Sequence, residues 1–276
     1  MAGPRNEEDV RALILRSAAQ ARYAVLGSYV LLLAFQIVIV GQAAEIQRTQ
    51  TFGHMAELLP AFLLRGLGSH AMLLATFKGT VAFGYFHPVV CLVVVLVAMY
   101  LATEPAHEIE SGLVDLELAR AVPRRQLLTR SLLLSHLVIL GATLLMSAGT
   151  SLGTWLFDAA GMDAPSAATR ARLLLNLAAT ASCFACFALF TSAMATRWVT
   201  AFTTAALTAV VVYLLDFLAI GWPLVRRLAW ISPFHYYPAL SVVAGDAPLA
   251  RNVTILFGAA AVFATAAYWR FSRRDL

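Results

Sequence analysis

The stretch HEIESGLVDLELARAVPRR, His107–Arg125, decides how the chain is read. It carries Glu108, Glu110, Asp115 and Glu117 together with Arg120, Arg124 and Arg125. Apolar sequence lies on both sides. Pro88–Ala102 before it holds no charged residue, and in Ser131–Phe157 after it only His136 can carry charge. Such a concentration of charge cannot sit in hydrocarbon, so the island lies in water between two membrane spans. Ile109, Leu113 and Leu116 fall at i, i+4 and i+7, one face of a helix, while Glu110, Ser111 and Glu117 point elsewhere. Pro123 limits how far that helix runs. A short amphipathic helix held at the membrane surface by two spans can carry motion from a soluble partner into the membrane. A solvated loop that only connects the spans is the plainer alternative.

Composition sets the class around this island. The chain has 276 residues, of which 61% are hydrophobic and 13% charged, against about 25% charged in soluble proteins. Several runs approach the ~20 apolar residues that cross a bilayer. The expected fold is an all-α polytopic membrane protein, with no stretch outside the membrane long enough for a sizeable soluble domain. The net charge of +5 does not point to nucleic acid. The arginines stand beside spans rather than in one basic stripe. Enrichment in arginine and alanine suggests a GC-rich bacterial genome, hence a bacterial plasma (inner) membrane. Cys91, Cys183 and Cys186 all fall in apolar runs. The C-x-x-C of the last two has no His or carboxylate near it in sequence, and packing is the reading preferred over metal or redox chemistry.

In chain order, residues 1–22 are expected to form a cytoplasmic amphipathic helix in the membrane interface. Val10, Leu13 and Ile14 share one face of it, away from Glu7, Arg11 and Arg16. A six-span transmembrane domain follows over 23–269, and a basic tail over 270–276. The spans are expected at about Tyr23–Val40, His87–Leu101, Leu132–Phe157, Leu173–Thr196, Thr200–Ile220 and Val253–Tyr268. The first is longer than a signal-peptide core and is followed by further spans, so cleavage is not expected. Ala43–Phe86 reads as an external helical segment. Within it, Met55–Leu67 is interrupted near Pro60, and Ala71–Ala82 is broken by Lys78 and Gly79. Six spans put both termini on one side. On that plan 12 of the 20 Lys and Arg residues fall on the terminal side, which favours cytoplasmic termini and a cytoplasmic island. Trp155, Trp198, Trp222 and Trp269 fall at span ends, as interface aromatics do. Between the last two spans, Trp230, Pro233, Phe234, His235, Tyr236 and Tyr237 crowd around two prolines. That density suits a broken element at the outer interface, read either as an aromatic belt or as an outer gate.

Several chemistries have no motif here. There is no G-x-x-x-x-G-K-[ST], so the chain is not expected to hydrolyse ATP through that loop. Neither H-E-x-x-H nor G-x-S-x-G occurs, and the six histidines are scattered, so no catalytic or metal-binding residues are assigned. Asp216 is the one acid placed within a span; it reads as reaching the outer interface, or as an ion carrier facing protein. His136 reads as a hydrogen-bonded packing residue. Gly149 and Gly153 form a G-x-x-x-G that marks close helix packing.

The island also resembles the segment after the second span in membrane subunits of ABC type-2 transporters. Those proteins carry an acid pair, a glycine two residues beyond the second acid, an apolar stretch, then proline and arginine. Glu108, Glu110, Gly112, Asp115, Leu116, Leu118, Pro123 and Arg124 match that pattern. Leu113, Glu117 and Ala121 depart from it, standing where threonine, leucine and proline are common. Phe86-His87-Pro88 and Ser232-Pro233-Phe234 are similar to one branch of the family, and the six-span plan extends the resemblance over the whole chain. It implies a non-catalytic permease subunit of an ATP-driven exporter. Such a subunit pairs with a second permease copy or a paralogue, and two copies of a cytoplasmic ABC ATPase bind ATP and Mg. This chain itself then binds no cofactor. The coupling helix is implied at about 107–125, with Glu108, Ile109, Glu110, Gly112, Leu113, Asp115, Leu116 and Arg124 meeting the ATPase. Ile109, Leu113 and Leu116 are the expected anchors, and Gly112 is expected to allow close approach. A secondary transporter driven by an ion gradient is the alternative, supported by Asp216 and His136. A membrane-embedded enzyme would need clustered catalytic residues, which the sequence does not show.

Overall fold

The computed structural model describes residues 4–49, 51, 68–113 and 124–274. Met55–Leu67, and Asp115 and Leu116 of the island, lie outside them. Among the described residues the regular elements are helices, with no strand. Six are long and apolar enough to cross a membrane: Ile14–Arg48, Phe77–Ala102, Arg125–Leu156, Ala167–Met194, Trp198–Ala219 and Leu249–Ser272. The chain is a multi-pass α-helical membrane protein by this measure.

The first helix corrects the expected boundary between interface helix and first span. α1 runs unbroken from Pro4 to Arg48, 45 residues. At 1.5 Å per residue it is about 68 Å long, roughly twice the hydrocarbon thickness. Proline stands at its first position and no other interrupts it. The change from amphipathic to apolar composition near Arg22 therefore marks a change of solvent, not the end of a helix. The expected external segment also starts later, after Arg48.

The second span starts ten residues earlier than expected. A 3₁₀ segment, Gly68–Ala75, leads into α2 (Phe77–Phe86), and α3 (Pro88–Ala102) follows after a single residue. Thr76 caps α2, its hydroxyl accepting from Gly79 N–H at 3.0 Å. Gly79 does not break the helix: its bare Cα lies so close to the Leu73 carbonyl that no Cβ would fit. The joint at His87 comes from Pro88, which has no N–H to continue the ladder. His87 Nδ1 accepts from Val89 N–H at 3.3 Å instead.

α4 (Glu104–Glu110) is the island helix. α5 (Arg124–Leu156), α6 (Ala167–Met194) and α7 (Trp198–Ala219) follow. After α7 come two short helices, α8 (Pro223–Arg226) and α9 (Ala239–Ala244), with 3₁₀ turns Ala229–Ile231 and Pro233–Tyr236 between them, as the broken element before the last span was expected to be. α10 (Leu249–Ser272) ends the bundle.

α6 is the central post. Of its most apolar window 72% is buried, against 17% for α1, α7 and α10. It packs against α3, α5, α7 and α10, and α1 lies along α5. Burial of Leu173, Leu177, Ala181, Phe184, Ala185, Ala188 and Leu189 builds the main core from α6. The fully buried residues of α7 are small, Ala201, Ala205 and Ala209 at every fourth position plus Ala219, while Phe202, Val212 and Tyr213 pack half-buried against the core and Leu207, Val211 and Leu214 are exposed. Leu133, Leu137, Leu140 and Leu144 form an exposed stripe on α5, as a lipid-facing surface requires. The α1–α5 contact is close because of glycine. A Cβ on Gly149 would stand 2.9 Å from the Leu33 carbonyl oxygen, and one on Gly153 would stand 2.9 Å from Val40 Cβ. The G-x-x-x-G marks the packing expected of it.

Candidate functional site

The candidate site is the end of the bundle that carries the island. Pro105 separates the island from the second span: without its N–H the helix of α3 cannot run on, and Thr103 becomes the corner. α4 is then fastened to three neighbours. Arg130 of α5 donates to the Glu108 carboxylate at 2.7 Å, and the two side chains are 1% and 2% exposed. The same guanidinium lies 3.8 Å from Glu104. Ser192 of α6 accepts from the Ala106 N–H at 2.9 Å and donates to the Thr103 carbonyl at 3.3 Å. Trp198, the first residue of α7, donates its backbone N–H to Glu110 Oε2 at 2.8 Å and its indole N–H to Thr103 Oγ1 at 3.1 Å. Glu110 thus supplies the α7 N-terminus with a carboxylate, which both the unmet N–H and the helix dipole favour. The Trp198 ring stacks on Phe202 at 5.4 Å, with Tyr100 and His107 edge-on at 6.0 and 6.5 Å. Arg274, beyond α10, donates to the carbonyls of Ala193 and Ala195 at the end of α6.

These contacts revise the roles expected from periodicity. α4 stops at Glu110, and the chain turns at Gly112, whose φ is +70°. Ile109 and Leu113 therefore do not lie one turn apart on a single helix. Ile109 packs against the main core of this chain, so it is not an outward anchor. Glu108 is buried against Arg130 and so does not stand at a rim, whereas Glu110 caps α7 and remains exposed. A Cβ on Gly112 would meet nothing within 4 Å. Within the chain, glycine is needed there for the left-handed turn rather than for a close approach. Leu113 is half-buried, Asp115 and Leu116 lie outside the described residues, and Arg124 opens α5.

Sequence reasoning missed Arg130 as a site residue, together with Trp198, Ser192 and Glu104. Arg130 did leave a signal. It interrupts a leucine-rich run, where a guanidinium needs an anionic partner. Ser192 and the Glu110 cap left none, since both act through backbone groups.

At the opposite end the aromatic residues divide. Phe234 and Tyr237 are buried. Phe234 lies 5.1 Å from the rings of Phe184 and Tyr213, and Tyr237 donates to the Tyr85 carbonyl at 3.1 Å. Trp230 and His235 are exposed, and Pro233 and Tyr236 are half-buried. Asp216, in the last turn of α7, lies 3.6 Å from His235 Nδ1. It lies at the loop end of the bundle. His136 Nδ1 lies 2.8 Å from the Leu132 carbonyl one turn back. Cys183 packs with Ala179 and Leu256 in a small cluster.

No protein-family model matches this chain, and no curated protein matches it. The island end therefore stands on its own geometry: a seven-residue helix, tied to the starts of two spans and the end of a third, at a corner made by proline.

Proposed function

We propose that the chain is the permease subunit of an ATP-driven ABC type-2 exporter. It forms the translocation pathway as a dimer, with a second copy or a paralogue, in a bacterial plasma membrane with both termini in the cytoplasm. A separate ATPase binds and hydrolyses ATP, and the 107–125 island receives its motion. The observation that carries this reading is the clamping of α4 to α5, α6 and α7 through Arg130, Ser192 and Trp198. A push on a loosely tethered loop would be absorbed by the loop. A push on α4 moves three spans, because displacing it alone would leave the Arg130 guanidinium and Glu108 carboxylate unpaired in a buried place. The surface left for a partner begins at the Ser111–Gly112 turn, where both residues are exposed, and includes exposed Arg125.

The test is co-purification of a tagged chain with its ATPase, alongside transport in vesicles. Gly112→Trp and Leu113→Asp are expected to leave the helices inserted. Each is expected to weaken ATPase binding or to uncouple hydrolysis from transport, at about 1–3 kcal/mol per lost contact. Wild-type binding and transport in both variants would reduce the island to a connector and remove the basis for the proposal.

A further inference from the structure

Residues 217–245, between Asp216 and Asp246, contain no carboxylate, yet they hold Arg226, Arg227 and His235. Both flanking acids are already matched: Asp216 lies 3.6 Å from His235, and Asp246 lies 2.9 Å from His70. Arg226 is engaged as well. Its guanidinium donates to the Ala219 and Ile220 carbonyls at 3.3 and 3.4 Å, at the end of α7, where a cation suits the helix dipole. Arg227 is exposed, and among the described residues nothing receives its guanidinium. Large apolar side chains flank it along the chain. Trp222, Leu224, Leu228, Trp230 and Ile231 are 61%, 78%, 50%, 63% and 51% exposed. So dense an apolar set is poorly placed in water. α7 indicates what covers it. Leu207, Val211, Leu214 and Leu218 are exposed at i, i+4, i+7 and i+11. Trp222 continues that stripe at i+15, its N–H still bonded to the Leu218 carbonyl at 3.0 Å. The 22 residues of α7 rise about 33 Å, the hydrocarbon thickness. The stripe therefore leaves hydrocarbon near Trp222, and Arg227 follows at headgroup depth.

We propose that Trp222–Ile231 binds an anionic phospholipid in the leaflet opposite the island. Arg227 takes the headgroup phosphate, and the exposed tryptophans and leucines take the glycerol and the upper acyl chains. A guanidinium meets a phosphate through two parallel N–H bonds, and tryptophan rings settle at headgroup level. Arg226 adds a second positive charge, already fixed on the end of α7. The segment is anchored from behind. Ala229 and Ser232 are buried, and Tyr236 donates its hydroxyl to the Trp230 carbonyl at 3.0 Å. The surface is thus formed before a lipid arrives, which limits the ordering cost. A zwitterionic lipid brings its own cation beside the phosphate and competes with Arg227. A self-complementary contact with a second copy would bring both Arg226–Arg227 pairs into one interface, with no acid in 217–245 to separate them. The inference needs no ATPase and stands apart from the exporter reading.

The experiment is native mass spectrometry of the purified full-length chain, titrated with phosphatidylglycerol or phosphatidylcholine. Arg227→Gln is expected to lower the retention of phosphatidylglycerol relative to phosphatidylcholine about fivefold, the effect of one arginine beside an anionic surface. Arg172→Gln removes the same charge from an exposed position in the first turns of α6, at the same end of the bundle, and is expected to leave the preference unchanged. Leu224→Asp keeps both arginines and puts a carboxylate on the apolar surface; it is expected to reduce phosphatidylglycerol retention without changing the oligomeric state. Equal losses from Arg227→Gln and Arg172→Gln, or no loss from either, would show that no local lipid site exists and overturn the proposal. If Leu224→Asp splits a dimer while Arg227→Gln leaves lipid retention as in the wild type, a second copy occupies the patch, and the proposal is equally overturned.

Discussion

Arg130 shows how one residue organises its surroundings. It stands among Leu127, Leu128 and Leu134, all buried, and is itself 1% exposed. A guanidinium in such a place persists only with carboxylate partners, here Glu108 and, farther off, Glu104. Breaking the pair from one side strands a buried charge. Arg130→Met or Glu108→Leu alone is therefore expected to cost about 3–5 kcal/mol. The double variant should recover part of that loss, because no unpaired partner remains. Unfolding in detergent measures all three; strictly additive losses would show that the two side chains are not coupled. Glu104 beside them carries a pH signature. Burial raises its carboxyl value, the largest influence, while Arg130 lowers it. A raised value means that the folded state favours the neutral acid. Its contribution is complete below the ordinary glutamate value of about 4.3 and is lost as pH rises through the folded value. Glu104→Gln stays neutral throughout. The stability of the variant relative to wild type, in detergent, should grow as pH rises through that window. A pH-independent difference would contradict the assignment.

Among the elements, the α1–α5 pair is decided by small residues. Tyr29 crosses to the Val138 carbonyl at 3.1 Å. Gly141 lies against the hydroxyl end of Tyr29, and Gly149 and Gly153 admit Leu33 and Val40. Lipid offers no hydrophobic drive for helix association, so van der Waals contact at this distance carries much of the attraction. Gly153→Val is expected to cost about 1–3 kcal/mol by forcing α1 away. Gly258 on α10 is the control, because a Cβ there meets nothing within 4 Å. Gly258→Ala should be neutral or stabilising by up to ~1 kcal/mol, through helix propensity. Thermal unfolding of both variants in one detergent checks the contrast, and equal effects would refute the close-packing account.

At the scale of the whole molecule, the six crossings put α4, the α6–α7 turn and the residues after α10 at one end. The contacts of Trp198 and Arg274 record this. The excess of arginine at that end is the basis for proposing that it faces the cytoplasm. The described cysteines are all buried, so introduced ones report alone. With an impermeant thiol reagent on intact cells, Ser272→Cys should be protected and Gly161→Cys, in the exposed α5–α6 loop, should react. The reverse pattern would invert the orientation and remove the island from reach of a cytoplasmic partner.

The sequence alone determined the helical membrane class, the number of apolar spans, the charged island, the glycine contact and the broken aromatic element. These follow from composition and from spacing along one chain, which respond to solvent and to helix geometry directly. Helix limits were less legible. The interface pattern near Arg22 reports a change of medium while the backbone hydrogen bonds continue through it, so α1 extends well beyond its apolar part. Gly79 looked like a breaker because the Leu73 carbonyl that needs its bare Cα lies outside the helix. The island's periodicity pointed outward for Ile109, and its acids looked solvated. Only the tertiary structure decided that Ile109 belongs to the core, that Glu108 meets Arg130 and that Glu110 caps α7. Each of those depends on a partner 22 or 88 residues away, or on a neighbouring helix, and a local pattern carries no information about what another helix brings alongside it.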